Sequence, residues 1–195
     1  MIYKKITIVI IIFTLFLSMG CENFLNNDNE PDILSETNRV RTNPRRYAAE
    51  LIVELNANRA NWSLARIAEY EAAITTLSSS SARNPLSLDN GLSRAARDHA
   101  QDLIRNNRFS HVGSYGSSPN ARMLRYGSYA GAMGENIAAG TSRNTGASMV
   151  LGWVLSPGHL ANMLNVNYTL IGTAHLSGHP SYNWIAVQKF AGRRN

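Results

Sequence analysis

The 195-residue sequence contains a single cysteine, Cys21, and therefore cannot form a disulfide within the chain. An unpaired thiol is unusual in an exported protein, where cysteines normally occur in bonded pairs. Lipidation of Cys21 would account for this lone residue better than a free thiol would. The length that remains after a targeting segment is enough for one domain with a hydrophobic core that needs no covalent staple.

The sequence also lacks a membrane-spanning run near its N-terminus. The apolar stretch from Ile6 to Met19 is about 14 residues long, whereas a bilayer-spanning helix needs roughly 20. Lys4 and Lys5 precede the stretch, and small residues follow it, which is typical of an export signal. We therefore predict that residues 1–20 are a signal peptide rather than a spanning helix and that the mature protein is exported.

The residues before Cys21 are similar to a loose lipoprotein box, in which the cysteine becomes the lipidated first residue of the mature chain. Ser18 stands where leucine is usual in such a box. Residues 21–32 are rich in asparagine and acids with little to bury, which predicts a flexible tether. We expect a lipoprotein anchored to the membrane through Cys21 at the cell envelope or surface, with one folded domain over residues 33–195.

No block of five or six like charges occurs in the sequence, and no aromatic ladder accompanies its arginines. The formal net charge is +6 for the whole chain. Without residues 1–20, the chain has 17 basic and 13 acidic residues, a net charge of +4. This mild and dispersed basicity indicates a solvated surface and argues against a nucleic-acid partner. We expect a monomer.

Most of the sequence between residues 33 and 164 has the apolar periodicity of helices. Asn43-Pro44 divides the first stretch, because proline suits a new first turn. The strongest pattern places Leu92, His99 and Leu103 on one apolar face. The predicted helices cover residues 33–56 with that break, 62–77, 92–103, a short stretch after Ser118-Pro119, 144–155 and 159–164.

The last forty residues change to a strand pattern. Residues 170–176 alternate between two faces, and residues 182–190 have a composition typical of a strand. Residues 177–181 contain glycine and proline and can join the two as a hairpin. The chain therefore combines several helices with at least one antiparallel strand pair.

Two histidines and a glutamate, His111, His159 and Glu135, each stand within two residues of a glycine in turn-like settings. Such positions favour function over packing. Two imidazoles and a carboxylate suit a divalent cation such as zinc or magnesium, with His111 and His159 as ligands and Glu135 orienting a ligand or water. Two protein ligands alone imply weak binding. The alternative is a hydrogen-bonded polar cluster that holds three loops together without metal.

The other three histidines are interpreted as structural. His99 falls on the apolar face of a helix, which favours a core histidine with a backbone or carboxylate partner. His175 lies in a predicted strand and His179 in the hairpin. Each of these two is more typical of a solvated or edge residue than of a ligand.

Several segments resemble, in order, the CAP superfamily of cysteine-rich secretory proteins, antigen 5 and pathogenesis-related plant proteins, also described as SCP-like extracellular domains. The resemblance covers about residues 33–195 and is closest to the bacterial branch. It implies an α+β fold, a three-layer α-β-α sandwich with a small antiparallel sheet. The segments that carry it are Phe109–His111, Gly134–Ile137, Trp153–His159 and Tyr182–Trp184.

The resemblance also implies an open cleft lined by His111, His159 and Glu135, with Asn136 and Ser156 beside them. Eukaryotic members carry a second cleft glutamate a few residues after the tryptophan, and this chain offers Ser156 near that place. Ser156 is interpreted as a helix cap or turn former before proline rather than as a catalytic group. The four-residue cleft is therefore incomplete.

Two classes of function are open at this point. The first is a binding module whose cleft holds a lipid, peptide or protein ligand, since the family contains sterol and lipid binders. The second is a metal-assisted hydrolase, similar to a peptidase, with Glu135 as general base. The sequence lacks a His-Glu-x-x-His helix, a Gly-x-Ser-x-Gly elbow and a cysteine nucleophile. This absence favours the non-catalytic binding module.

Overall fold

The computed structural model describes residues 30–142 and 145–194, with side chains from residue 32 onward. The predicted signal peptide, Cys21 and almost all of the predicted tether lie outside the described residues, as does Asn144 at the start of one predicted helix. Within the described ranges, no helix combines the length and apolar character that crossing a membrane requires.

Seven helices span the described chain as far as residue 164, with β1 and β2 between them, and the strands β3 and β4 follow. The break predicted at Asn43-Pro44 is confirmed, and the described helices follow the predicted segments. The elements are α1 (Glu30–Thr42), α2 (Pro44–Asn58), α3 (Leu64–Ser79), β1 (Ser87–Leu88), α4 (Asn90–Arg105), α5 (Pro119–Leu124), β2 (Tyr129–Gly140), α6 (Gly146–Val154), α7 (Pro157–Leu164), β3 (Leu170–Ser177) and β4 (Trp184–Arg194).

The described strands form one sheet in the order β1-β3-β4-β2. The predicted hairpin is confirmed as the antiparallel pair β3–β4, and β2 lies antiparallel to β4 at the edge. The two-residue strand β1 adds a short parallel pair with β3. The sheet is thus small and almost wholly antiparallel.

Strand β2 corrects the sequence interpretation of Glu135 and Asn136 as residues of a turn. Both lie in register with β4 in the middle of a 12-residue strand. The turn character is confined to a register shift between Ala130 and Met133, where Gly131 has a φ of +82°. Gly134 is required for another reason, because a side chain there would collide with the Tyr168 hydroxyl. Its role is close packing rather than a turn.

Helical layers cover both faces of the sheet. Helix α4 lies along β3 and β4 on one face, with α5 beside it, and its alanines pack on Ile137, Val187 and other strand residues. Helices α1, α6 and α7 cover the other face, and α2 and α3 complete that layer. This is the predicted three-layer α-β-α arrangement of the α+β class. The site described below uses both faces of the β2–β4 pair.

A buried arginine joins the helical layer to the loops around the sheet. Arg41 is only 1% exposed, and within the described ranges its guanidinium donates hydrogen bonds to backbone carbonyls. These are Asn84 at 3.1 Å, Met163 at 2.5 Å, Asn165 at 3.0 Å and Tyr168 at 3.2 Å. A buried charge is tolerated only when its hydrogen bonds are made. Arg41 therefore fixes the segment between α7 and β3 against the end of α1.

We predict that Arg41→Met lowers the free energy of unfolding by about 3 kcal/mol, because it leaves four carbonyls without a donor in a buried place. Urea denaturation followed by circular dichroism measures the change. The matched control is Arg46→Met in α2, whose side chain is 82% exposed. This control should change the free energy by less than about 0.5 kcal/mol. Equal effects of the two substitutions would contradict the role given to Arg41.

Candidate functional site

Two neighbouring residue pairs across β2 and β4 carry the polar side chains of the candidate site. Glu135 lies opposite Lys189, and Asn136 lies opposite Gln188. Successive residues of a strand point to opposite faces of the sheet. The first pair therefore faces the α4 and α5 layer, and the second faces the layer of α1 and α7.

Glu135 is the centre of a buried ion network on the α4 side. Its carboxylate is 1% exposed and forms an ion pair with Lys189 Nζ. It also accepts hydrogen bonds from Arg122 Nη2 at 3.0 Å and from His111 Nδ1 at 2.7 Å. His99 Nε2 lies 3.8 Å from the same carboxylate. Four basic side chains from α4, α5, β4 and a loop thus converge on one acid.

The pKa values follow from this arrangement. Burial alone would raise the pKa of Glu135, but the hydrogen bond from His111 and the charge of Lys189 outweigh it. The pKa of Glu135 is therefore well below its usual range, and the carboxylate is ionised at neutral pH. Burial lowers the pKa of Lys189, and the charge of Glu135 partly counteracts that effect. The ionised Glu135 and the two cations Lys189 and Arg122 together carry a net positive charge.

The segment that carries His111 is held by buried donors that bind its backbone carbonyls. His99 Nε2 lies 3.0 Å from Ser110 O, and Arg122 donates to His111 O at 2.8 Å and to Ser117 O at 2.5 Å. A loop without regular structure is thereby fixed at several points. His111 keeps its own ring at the surface, with 49% of the side chain exposed.

His99 matches the expectation of a core histidine with a backbone partner. Burial is the main reason why the pKa of His99 falls to about 4, so the ring is neutral at physiological pH. Its Nε2 faces the carbonyl of Ser110, and its Nδ1 has no hydrogen-bond partner among the described residues. His99 supports the loop and borders the Glu135 network, although the sequence interpretation left it outside the site.

The α7 side of the sheet contains an amide network rather than an ionic one. Asn136 Nδ2 donates to the carbonyl of His159 at 3.2 Å and to Gln188 Oε1 at 3.0 Å. Asn162 Nδ2 donates to Asn136 Oδ1 at 2.9 Å and to the Glu135 carbonyl at 3.2 Å. Gln188 in turn donates to Thr37 Oγ1 of α1 at 2.8 Å. This network fixes α7, and with it His159, against the edge strand β2.

His159 lies in the first turn of α7 and is half-buried. Burial lowers the pKa of His159, and the nearby charge of His111 lowers it further. The two rings are therefore close enough to influence each other, and His159 is neutral at neutral pH. Ser156 is the N-cap residue of α7, but its side chain makes no capping hydrogen bond. The structure gives Ser156 a position at a helix start, as expected, without the expected cap bond.

The structure thus brings His111 and Glu135 into direct contact, with Asn136 and His159 joined to them through the β2 edge. It also adds Arg122, Lys189 and Asn162, which the sequence interpretation missed. Lys189 alternates in step with the buried Ile185 and Val187 and so lies on the same face of β4. A charged residue at such a position indicates a buried counter-charge, which is the signal that the sequence offered. Among the residues that the structure describes, no group of three or more His, Cys, Asp or Glu is placed to hold a metal ion.

His175 and His179, expected to be solvated or edge residues, are both buried, although His175 does lie where β3 pairs with β4 alone. His175 lies in β3 and packs edge-on against Trp184 with ring centroids 5.6 Å apart. His179 Nε2 lies 3.1 Å from Arg108 O, and its Nδ1 accepts from the backbone of Ser181 at 3.1 Å. Neighbouring elements cover both rings. The positions of these residues in a strand and a hairpin therefore could not show that they are buried. Neither belongs to the candidate site.

A separate groove of about 400 Å³ lies between the α1–α2 junction and the end of α3. None of its lining residues is a predicted site residue, and it lies apart from the Glu135 network. The groove is lined by Thr42, Asn43, Pro44, Arg45, Arg46, Ser80, Ser81 and Ala82.

The sequence matches a known protein family over most of its length. The sequence model of the cysteine-rich secretory protein family, CAP, matches residues 34–190. The uncharacterized protein YkwD of Bacillus subtilis (strain 168) is 33% identical over 131 residues, which is 65% of this chain and 49% of YkwD. The chain therefore spans about half the length of that curated relative.

Solved structures give a consistent picture of the fold. An outer surface protein from Borrelia burgdorferi is 26% identical, with a TM-score of 0.50, over 66% of this chain and 91% of that protein. The crystal structure of NaASP2 with Zn²⁺ has 13% identity and a TM-score of 0.50, over 88% of this chain and 83% of that protein. At that identity, the second similarity concerns the fold alone.

We predict that Glu135→Gln lowers the free energy of unfolding by about 3 kcal/mol or more, because Lys189 and Arg122 are then buried without a counter-charge. Adding Lys189→Met to this variant should restore part of the loss, since one uncompensated cation is removed. Urea denaturation of wild type, both single variants and the double variant measures the coupling free energy.

The matched control is Glu71→Gln, the same change in an exposed ion pair with Arg59 at 2.6 Å. This pair lies on the surface and should contribute less than about 1 kcal/mol. If Glu135→Gln were no more destabilising than Glu71→Gln, Glu135 would not be the centre that the geometry describes.

Proposed function

The chain belongs to the cysteine-rich secretory protein (CAP) family, and from this premise we propose that it is a binding module whose His111 and His159 hold a divalent cation at an open cleft. The described domain is of the extracellular CAP type, with the family's α+β fold. The proposal concerns what this particular cleft binds. It is supported by the positions of the two histidines and by the partner of one of them.

The contact between His111 Nδ1 and Glu135 Oε1, 2.7 Å apart, carries the proposal. An ionised carboxylate accepts, so Nδ1 holds a proton, and in the neutral imidazole Nε2 is then the nitrogen with the free lone pair. A histidine whose second nitrogen donates to a carboxylate is the usual arrangement around protein-bound metals, because it fixes the tautomer and raises the basicity of the ligand. The half-exposed ring of His111 therefore offers Nε2 to a cation.

His159 supplies the second nitrogen. Metal ligands must be unprotonated, and the lowered pKa of His159 keeps its imidazole neutral at neutral pH. Glu135 is not a further ligand, because Lys189 and Arg122 already occupy its carboxylate. The chain thus offers two imidazoles, and water or a bound molecule completes the coordination. Such a site binds weakly.

Zinc fits this donor set better than magnesium does. Imidazole nitrogens suit zinc, whereas magnesium prefers carboxylate and water oxygens. NaASP2, which shares the fold, has been crystallised with Zn²⁺. When bound here, the cation would polarise a ligand oxygen at the open positions. The residues of the chain would hold and orient that ligand.

The cleft's ligand is proposed to be a lipid, a peptide or a protein at the cell envelope, bound by a monomer. The protein is proposed to be exported and anchored through a lipidated Cys21, so that this cleft faces molecules at the cell surface. The family's secretory character and the sequence pattern before Cys21 support export. The lipid anchor rests on that sequence pattern alone.

The hydrolase alternative has weaker physical support. A general base works best with a pKa near the operating pH. The pKa of Glu135 is held far below that range, and the carboxylate is buried and already shared by three donors. Ser156, which stands where eukaryotic members carry a second glutamate, does not supply another carboxylate. A positioning role for Glu135 fits this geometry better than proton transfer.

We predict that the wild-type protein binds Zn²⁺ with micromolar rather than nanomolar affinity, and that His111→Gln and His159→Gln each weaken binding by at least about tenfold. Isothermal titration calorimetry with Zn²⁺ measures the affinities at neutral pH. The control is His175→Gln, which removes a buried histidine outside the cleft and should leave the affinity unchanged in a folded protein. Unchanged binding in both cleft variants would refute the metal site.

We further predict that Cys21→Ala abolishes incorporation of a radiolabelled fatty acid when the full chain is expressed in a bacterium that processes lipoproteins. The reason is that the lipid would be attached to this thiol, the chain's lone cysteine. Ser18→Leu, which restores the usual residue of the lipoprotein box, should keep or increase the label. Label that persists in Cys21→Ala would show that the anchor lies elsewhere.

A further inference from the structure

Acidic side chains are almost absent from the second half of the chain. From residue 103 onward the sequence has one acidic residue, Glu135, and eight basic ones. Glu135 is buried and already paired with Arg122 and Lys189. No acid of this half is therefore left to balance its surface arginines. The basic residues are Arg105, Arg108, Arg122, Arg125, Arg143, Lys189, Arg193 and Arg194.

One exposed segment combines this positive charge with large apolar side chains. The segment from Arg105 to Tyr115, here called the Arg105–Tyr115 loop, contains no acidic residue. Its Phe109, Val112 and Tyr115 side chains are 45%, 49% and 98% exposed. The arginine at position 108 is exposed beside them. Exposed apolar groups clustered with cations mark an interaction surface rather than ordinary solvated surface.

The neighbouring acid of α4, Asp102, offsets only part of the loop's positive charge, because its charge interacts with that of Arg108. Asp102 accepts hydrogen bonds from the Ser114 backbone at 2.9 Å and from Asn106 Nδ2 at 3.0 Å. Its carboxylate is thus engaged in holding the loop. Among the described residues, Arg105 makes one long hydrogen bond of 3.4 Å, to the uncharged Gln101. Arg105 therefore has no acidic partner in the described part of the chain, and the exposed Arg108 forms no ion pair within 4 Å there, so both can bind an anionic partner.

The loop is also held rigidly. Buried side chains bind its backbone at Arg108 O, Ser110 O, His111 O and the Ser114 amide. The Phe109 ring is supported by Tyr182, with centroids 5.8 Å apart. A segment that is already ordered loses little entropy when it docks. The exposed side chains are thus presented in a fixed arrangement before any partner arrives.

We propose that the Arg105–Tyr115 loop docks on an anionic phospholipid bilayer. Arg105 and Arg108 would bind headgroup phosphates, while Phe109, Val112 and Tyr115 enter the interface. Cations next to aromatic and aliphatic side chains are the combination that binds anionic membrane surfaces. A soluble polyanion would engage the arginines but leave the three apolar side chains in water. Docking would also bring His111, in the same loop, to the headgroup region, whether or not it holds a metal.

The test uses the full chain with an environment-sensitive nitrobenzoxadiazole label at Val112→Cys in a Cys21→Ser background. Vesicles of phosphatidylcholine alone are compared with vesicles of equal parts phosphatidylcholine and phosphatidylglycerol. The label should shift to blue emission only with the anionic vesicles. The label reports only the surroundings of the loop. Binding of residues 1–20 to the vesicles would therefore not by itself shift its emission. A label at Leu64→Cys, exposed on α3, should stay in water.

Charge variants make the test specific. The double variant Arg105→Ser, Arg108→Ser should weaken partitioning into anionic vesicles by about 30-fold. Each arginine near an anionic surface strengthens partitioning by about fivefold, and the variant removes two. The matched control, Arg45→Ser with Arg46→Ser, removes the same charge from exposed positions in α2 and should change partitioning by less than about twofold. Equal effects of the two pairs would overturn the proposal.

Two further outcomes would also overturn it. An emission shift of the same size with phosphatidylcholine alone would show that the arginines do not select the surface. Binding of heparin without any response of the label at position 112 to anionic vesicles would show that the loop recognises a soluble polyanion. Both measurements use the same labelled chain. A zinc chelator should leave the vesicle response intact, which separates this proposal from the metal site.

Discussion

The structure around the cleft depends on one buried carboxylate. Glu135 lies on the edge strand, yet it holds a strand, a short helix and a loop together through Lys189, Arg122 and His111. A buried anion requires compensating partners, and each of the three partners here comes from a different element. The position of the His111 ring is therefore set by an ion network that extends well beyond the loop itself. Arg122 and Lys189 together carry one more charge than the acid with which they pair.

The helices and the final hairpin could be predicted because their information is local. A proline at a helix start and a stripe of apolar residues specify α1, α2 and α4 within short windows. Strand β2 could not be recognised this way, because its hydrogen bonds come from β4, which lies far along the chain. Its glycines suggested turns, whereas Gly134 is small so that Tyr168 and Asn162 can approach it. The strand is thus specified by tertiary packing rather than by its own composition.

The residue types of the site could be predicted from the sequence, but several of the contacts between them could not. His111 and Glu135 could be paired from their neighbours and from the family resemblance, and the structure joins them directly. Lys189 and Arg122 were missed because a strand lysine and a helix arginine have the same local appearance as solvated residues. Their role as partners of a buried carboxylate becomes clear only from the structure, which places Glu135 between them. The local context of His175 and His179 suggested solvated or edge positions. Elements distant in the sequence bury both side chains instead.

The Glu135 network and the buried Arg41 differ in how they respond to acid. The Glu135 network depends on an ionised carboxylate, so its contribution to stability is lost as pH falls through the depressed pKa of that group. Arg41 is bound only by neutral carbonyls, and its charge persists throughout the acidic range. Acid stress would consequently loosen the cleft before it loosens the scaffold behind it. The protein's shape is thereby less sensitive to the acidity of its surroundings than its binding surface is.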